Sequence, residues 1–540
     1  MALRHLPQSL RFAWGLQDFL RHPISLEEAE ATVRRRMAQR EDSFLLLVEQ
    51  AIFGYPHSPY LPMLKLACCE FGDIREMVRN GGVERTLRTL RDAGVYVTYD
   101  EYRARAPIVR ASGVIPLRPR AFDNPFLSHY YKAKSSGTTG RPVVVNIDLH
   151  HLADQATYDL LTRHAHGVVG VPEALWRGTL PDGSGIGTIL RGARIGNVPR
   201  KWFSPIGATG DRRAAFKHRF VTQFVVLMGR VCGVPIPWPE TVPLDRAAVV
   251  ARWVGGMLKA HGSCLVRAHV SMALRICLAA RQAGFNLTGA TFLGGGEPPT
   301  PGKVRQIIET GARWIPWYVF SEVGRVGMGC ARPVDGNDLH FRKDGLALIQ
   351  YPRPVLGSRI VNAFYFTTLL PTAPKVLLNV ESDDYGVIEQ RSCGCLLEQY
   401  GFTDHLRQVR SFRKLTGEGV TLVGSDMERI LDEVLPARFG GSPLDYQFLE
   451  EEDADGFTRL TLAVSPQVQI ADEAAVVEVV LRALGGDNVR SLLEQAKTLR
   501  VKRMQPISSS RGKILPLHLL SRFEASDKDT TDKDTTDGDA

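Results

Sequence analysis

The sequence predicts an α/β protein with a large, multi-layer N-terminal domain and a small α+β C-terminal domain. Three observations carry this expectation. The chain has 540 residues, of which 44% are hydrophobic and 23% charged, a globular composition with material for a large core. Between residues 125 and 330, strand-like and helix-like stretches alternate. Near residue 410 the composition shifts, and a separate set of short strands and helices begins.

Taken in order, residues 1–120 form a mostly helical part of the first domain, with a strand-like stretch at 94–98. The basic run Arg34-Arg35-Arg36 reads as a solvated helix face. Residues 129–132 and 143–147 read as two strands around a hydroxyl- and glycine-rich loop. Asp148 is placed to cap a helix whose apolar face runs through Leu152, Ala156 and Leu160. A short buried strand at 290–293 enters a glycine turn at Gly294, followed by a helix at 301–310 and a strand at 314–320. The first domain is expected over 1–409 and the second over 410–523. In the second, Ser425-Asp426-Met427-Glu428 has the pattern of a capping box. Strands at 446–450 and 457–464 are joined at Asp455-Gly456, a hairpin signal. A helix at 472–484 stops at Gly485-Gly486. The tail 524–540 repeats DKDTT without aromatics, a composition expected to be disordered.

Charge and cysteine usage narrow the class. A net charge of +9 with scattered basic residues suits a small anionic ligand, and no nucleic-acid motif accompanies it. No apolar run reaches the ~18 residues a membrane span needs. Arg4, Arg11, Asp18 and Arg21 interrupt the N-terminal apolar residues, unlike a signal peptide. Eight cysteines without a dense framework fit a reducing, cytoplasmic setting.

The densest chemistry is Ser135-Ser136-Gly137-Thr138-Thr139-Gly140, followed by Arg141-Pro142. Bare backbone N–H groups, hydroxyl donors and a cation together suit a polyphosphate. The spacing is not that of a Walker A loop. Downstream stand Gly294-Gly295-Gly296-Glu297-Pro298, Tyr318-Val319-Phe320-Ser321-Glu322, Asp383-Asp384-Tyr385-Gly386 and Arg410-Ser411-Phe412-Arg413-Lys414. Near the end stands Pro506-Ile507-Ser508-Ser509-Ser510-Arg511-Gly512-Lys513-Ile514. A carboxylate such as Glu322 is a hard ligand for Mg²⁺, and a lysine such as Lys513 stabilises developing negative charge.

In order and spacing, these segments resemble the motifs of the adenylate-forming superfamily, and the N-terminal region and the surroundings of Cys393 are most similar to its phenylacetate–CoA ligase branch. The resemblance implies an adenylating first domain with a mobile C-terminal lid. It implies a phosphate loop over Ser135, Ser136, Gly137, Thr138, Thr139 and Gly140. Backbone at Gly295, Gly296 and Glu297 would read an adenine edge. Tyr318 would stack on adenine, Ser321 would touch the α-phosphate, and Glu322 would hold Mg²⁺. Asp384 and Arg410 would contact ribose, and Lys513 would bridge the acid and the α-phosphate. Where the family carries Asp or Lys at its hinge, this chain has Phe412. The implied reaction is ATP-dependent activation of a carboxylic acid, of aryl or arylalkyl type, with transfer to coenzyme A. A carrier-protein thiol or an amine as acceptor, and a non-catalytic nucleotide-binding relative, stay open. A homodimer is expected by the same analogy.

Cys330, His340, Cys393 and Cys395 offer three thiolates and one imidazole, a closed zinc set of the structural kind. The alternative is four unrelated residues. Cys68, Cys69, Cys232, Cys264 and Cys277 read as core positions. The adjacent His150 and His151 point to different helix faces and do not make a metal pair. Trp176, Phe203, Trp238, Trp253, Trp314 and Trp317 are candidates for an aromatic acid pocket or for core.

Overall fold

A computed structural model describes residues 8–110, 113–118, 120–134, 144–180, 182–205, 212–354, 360–411, 414–417, 420–423, 427, 429–453, 455–484, 487–507 and 517–519. The Ser135–Gly140 loop, Phe412, the Ser425-Asp426 start of the capping box, the Gly485-Gly486 stop, Lys513 and the tail lie outside the described residues.

A twelve-stranded sheet is the spine of the first domain. Six strands are parallel, in the order Pro239–Thr241, Lys201–Ser204, Glu173–Trp176, Cys264–Ala268, Ala290–Gly294 and Arg313–Phe320. Their residues alternate between two buried faces, as strands covered by helices on both sides require. Ala174, Trp176, Val266 and Phe292 pack under the helices Ala247–His261 and Val270–Gln282. Leu175 and Trp202 pack on the opposite side, against the helix Ser184–Arg194. From Arg313–Phe320 onward the sheet turns antiparallel, through Gly324–Gly329, Leu339–Phe341, Asp404–Ser411, Val380–Gln390, Ile360–Thr368 and Leu346–Pro354.

The N-terminal helices cover this antiparallel half. Phe44, Ile74, Leu87 and Val97 share one buried cluster with Leu346, Phe364, Leu378 and Leu406. Residues 94–98 depart from the strand expectation: only Val97 pairs, through a single bridge to Val380. Two further expectations are corrected by burial. Cys68 is exposed, and Cys69 and Cys232 are half-buried, whereas Cys264 and Cys277 are in the core. Arg36 turns inward to pair with Asp154, so only part of the basic run faces solvent.

Tyr130–Lys134 and Val144–Asp148 form an antiparallel pair that brings Lys134 opposite Val144, so the two ends of the phosphate-type loop stand together. Asp148 anchors both the next helix and the chain before this pair. One carboxylate oxygen accepts from the His150 N–H at 2.9 Å, capping the helix Leu149–Ala165. The other accepts from the N–H groups of Ser128 and His129 at 3.1 and 2.8 Å. Asp148→Ala leaves these donors unpaired at a buried position. The expected loss is about 2 kcal/mol, read as a lower urea midpoint at unchanged slope.

The second domain is a four-stranded sheet in the order Leu499–Arg503, Thr458–Val464, Tyr446–Glu452 and Leu517–Leu519. The helices Glu473–Leu484 and Asp487–Ala496 pack with it. It docks on the parallel half of the large sheet. Phe457 and Ala496 enter that half's core, and Arg275 lies over the Phe457 ring at 4.6 Å. Lys303 Nζ donates to Thr458 Oγ1 at 2.9 Å, and Leu244 N–H to Gln495 at 3.0 Å. Among the described residues no helix is long and apolar enough to cross a membrane.

Candidate functional site

A cavity of about 270 Å³ opens where the parallel half of the sheet meets the antiparallel half. Its wall includes Gly296, Glu297, Trp317, Tyr318, Ser321, Glu322, Asp384 and Arg410, together with Tyr99, Tyr102 and Arg103.

Each element delivers its residue for a local reason. The strand Ala290–Gly294 runs parallel beside Arg313–Phe320, and Gly296 and Glu297 come at its exit. Gly295 does not reach the wall. A Cβ there would lie 2.1 Å from the Trp317 carbonyl oxygen, so a bare backbone is required for close packing. Glu297 is buried and engaged. Its carboxylate accepts from the Ser271 N–H at 2.8 Å and the Ser271 hydroxyl at 2.7 Å, and pairs with Lys303 at 3.4 Å. Burial works against the charged form, but Lys303 and these donors hold the carboxyl below its usual range.

Arg313–Phe320 and Gly324–Gly329 form a hairpin, and Ser321 and Glu322 sit in its turn. The turn closes on Gly324 at a φ of +76°. A Cβ on Gly324 would also lie 2.6 Å from the Gln155 amide, so the position takes glycine on two counts. Tyr318 lies on the same hairpin and donates its hydroxyl to Asp384 at 2.5 Å. Burial and the Asp384 carboxylate push the Tyr318 phenol well above its usual range. Asp384 therefore presents one hydrogen bond already formed to the ring expected to stack on adenine. The neighbouring Asp383 accepts from the Ser411 hydroxyl at 3.0 Å, which ties the strand Val380–Gln390 to the residue after Arg410.

The aromatic candidates divide by place. Trp317 is at the cavity wall, Trp176 and Phe203 are core, Trp253 and Trp314 pack against that core, and Trp238 is substantially exposed.

Tyr99, Tyr102 and Arg103 are wall residues that the sequence reading missed. Thr98 caps the short helix Tyr99–Tyr102, and the Thr98–Glu101 capping box is its one local signal. The rest is long-range. The Tyr99 N–H donates to Glu381 at 3.0 Å, and Asn379 donates to the Leu87 and Val95 carbonyls at 2.8 and 3.1 Å.

The four cysteine and histidine candidates do come together. The ligand atoms of Cys330, His340, Cys393 and Cys395 all lie within 4.8 Å of one another. His340 Nδ1 is 2.6 Å from the Phe402 carbonyl, which fixes the ring and leaves Nε2 facing Cys395 Sγ at 3.1 Å. A hydrogen bond between Cys330 and Cys395 raises the first thiol and lowers the second. The donors, their spacing and the orienting carbonyl fit a tetrahedral ion. Behind them, His405 packs on His340 with ring centroids 4.1 Å apart and hydrogen-bonds Asp338 at 2.7 Å.

No family model matches the sequence, and no curated protein matches it either. Solved structures do. One is 2-hydroxyisobutyryl-CoA ligase in complex with 2-HIB-AMP and CoA, at a TM-score of 0.51 and 14% identity, with 92% of this chain and 91% of that one covered. Another is the amide bond synthetase McbA from Marinactinospora thermotolerans, at a TM-score of 0.40 and 13% identity, with 88% and 92% covered. A third is acetoacetyl-CoA synthetase from Streptomyces lividans, at a TM-score of 0.32 and 15% identity, with 76% and 56% covered. At 14% identity the first likeness establishes a common fold, a large α/β domain carrying a small α+β one.

Proposed function

We propose that this chain activates a carboxylic acid with ATP and then passes the acyl group to a thiol, that of coenzyme A. The observation that carries this reading is convergence. Gly296, Glu297, Tyr318, Ser321, Glu322, Asp384 and Arg410 are far apart in sequence, belong to motifs for one nucleotide, and line one cavity. Within the adenylate-forming enzymes, the helical N-terminal region and the Cys393–Cys395 segment favour the phenylacetate–CoA ligase branch and an aryl or arylalkyl acid.

In the first half-reaction an acid oxygen attacks the α-phosphorus of ATP and pyrophosphate leaves. In the second, a thiolate attacks the acyl carbonyl and AMP leaves. The work of the protein is positioning and charge neutralisation. Tyr318 and the Gly296 backbone take the base, and Asp384 and Arg410 take the ribose. Ser321 and the Ser135–Gly140 loop take the phosphates, and Lys513 holds the acid against the α-phosphorus. Glu322 would hold Mg²⁺, which neutralises charge on the phosphates when bound. The Cys330, His340, Cys393 and Cys395 set would hold a structural zinc. It would clamp the end of Gly324–Gly329, whose hairpin turn holds Ser321 and Glu322, to the loop before Asp404–Ser411, the strand that carries Arg410.

The test is acid-dependent ATP–pyrophosphate exchange across aryl, arylalkyl and aliphatic acids. Exchange with at least one acid is expected, and none with any acid, in protein that binds ATP, would overturn the reading. Glu322→Gln is expected to lower exchange about tenfold and to raise the Mg²⁺ concentration needed for half-maximal rate. An unchanged Mg²⁺ requirement would remove Glu322 from that role.

A further inference from the structure

We propose that Tyr102 and Arg103 are a further contact for the β- and γ-phosphates of ATP, and so for the pyrophosphate that leaves. The inference rests on reading the cavity as an acid-activating site.

Both residues are half-buried and belong to the cavity wall, although they come from the N-terminal helical part and not from the large sheet and its turns. Tyr102 marks the end of the cavity they occupy. Its ring packs on Phe122 with centroids 4.9 Å apart. The next residue, Asp123, pairs with Lys375, whose Nζ also donates to the Val144 carbonyl at 3.2 Å. Val144 stands opposite Lys134, so this line of contacts ends where the Ser135–Gly140 loop leaves the strand pair. Glu322 is near as well. Burial and that carboxylate together push the Tyr102 phenol well above its usual range. Tyr102 thus neighbours both the residue expected to hold Mg²⁺ and the base of the loop expected to hold phosphate.

The two side chains offer what a polyphosphate takes. The Tyr102 hydroxyl is buried without a partner among the described residues. An unbonded buried hydroxyl is destabilising, and a bound oxygen would satisfy it. Arg103 makes no hydrogen bond or ion pair with any described residue, and with Arg410 it supplies the basic side chains of the wall. The wall carboxylates are engaged elsewhere. Glu297 pairs with Lys303, Glu381 accepts from the Tyr99 N–H, Asp383 from Ser411 and Asp384 from Tyr318. A guanidinium keeps its proton, and its planar fork matches two phosphate oxygens.

The backbone that carries Arg103 is ordered before any ligand arrives. Ala104 follows at a φ of +53°, a left-handed conformation uncommon outside glycine. Its N–H bonds the Glu101 carbonyl at 3.0 Å, and the Arg105 N–H bonds the Asp100 carbonyl at 2.8 Å. Glu101 is buried and pairs with Arg110 at 2.7 Å. Such preorganisation lowers the entropy lost on binding.

In adenylation an acid oxygen forms a bond to the α-phosphorus, and the bond from that phosphorus to the α,β-bridging oxygen breaks. The electron pair leaves on the bridging oxygen, so charge grows on pyrophosphate. Arg103 and Tyr102 meet that charge, whereas AMP lacks the phosphates they would touch.

The experiment titrates MgATP, AMP and magnesium pyrophosphate calorimetrically into native protein, Arg103→Met, Arg103→Lys and Tyr102→Phe. Arg103→Met is expected to raise Kd for ATP and pyrophosphate about tenfold or more, and to leave Kd for AMP within about twofold. Arg103→Lys should retain part of the affinity, and Tyr102→Phe should raise Kd for ATP about threefold. In acid-dependent exchange Arg103→Met should raise KM for pyrophosphate and not KM for the acid. Equal weakening of ATP and AMP overturns the inference, because a structural loss does not choose between them. A rise confined to KM for the acid also overturns it, and gives Arg103 to the acid. The titrations need no acid, so exchange that fails with every acid, beside an intact contrast between ATP and AMP, removes acid activation and not the phosphate contact. Should a variant fail to fold, phenylglyoxal modification of native protein decides. ATP and pyrophosphate, but not AMP, should protect Arg103 in the peptide map, and protection by all three or by none overturns the inference.

Discussion

Lys513→Ala is expected to lower acid-dependent ATP–pyrophosphate exchange by about a hundredfold to a thousandfold, or roughly 2.7 to 4 kcal/mol of transition-state stabilisation. As the acid attacks, negative charge grows around the α-phosphorus, and an ammonium group aimed there is worth far more than in the ground state. We propose this role for Lys513 from the segment Pro506 to Ile514, whose Gly-Lys-Ile ending resembles the adenylate-forming pattern. The half-reactions separate the role from general damage. Thioester formation from supplied acyl adenylate does not use this charge, so it should fall much less. Equal losses in both halves would refute the assignment. Lys513→Arg keeps the charge but not the compact ammonium, so partial activity is expected.

The second large effect concerns the cysteine and histidine set. Untagged protein is expected to carry about one equivalent of zinc, and Cys395→Ala less than ~0.2. Three thiolates and an oriented imidazole bind only in the folded state, so metal adds to stability through linkage. At free zinc a thousandfold above Kd the gain is about 4 kcal/mol. Chelation should therefore lower the thermal midpoint by several degrees. It should also raise KM for ATP, because Asp404–Ser411 carries Arg410 into the cavity and begins beside the Phe402 carbonyl that His340 meets. Native protein holding less than ~0.2 equivalents would remove the metal. A midpoint indifferent to chelation would remove its structural role.

What could be read in the sequence was what short stretches determine. The strand Ala290–Gly294, the helix Pro301–Glu309, the strand Arg313–Phe320 and the hairpin Tyr446–Glu452 with Thr458–Val464 carry their own periodicity and turn residues. Asp148 announced its helix because a cap is a local device. The candidate site residues could be singled out because each belongs to a compact string, and the cavity gathers residues from several of these strings. What escaped depends on partners far away in the chain. Residues 94–98 have strand composition, but only Val97 finds a neighbour, at Val380. Arg36 belongs to a charge run, yet Asp154 turns it inward. Tyr99, Tyr102 and Arg103 join the cavity because Asn379 and Glu381 fasten their segment to it, and nothing near residue 100 advertises that.

The cluster that joins Phe44, Ile74 and Leu87 to Leu346, Phe364 and Leu378 has a consequence for synthesis. The first of these residues leave the ribosome long before their partners exist. At ~5–20 residues per second, the intervening chain takes roughly 15 to 60 s to emerge. For that interval the early helices have an apolar side with nothing native to cover it. The nascent chain is thus a natural client for chaperones that shield helical segments. Nonsense or frameshift products ending before residue 346 should aggregate rather than accumulate as a folded N-terminal fragment.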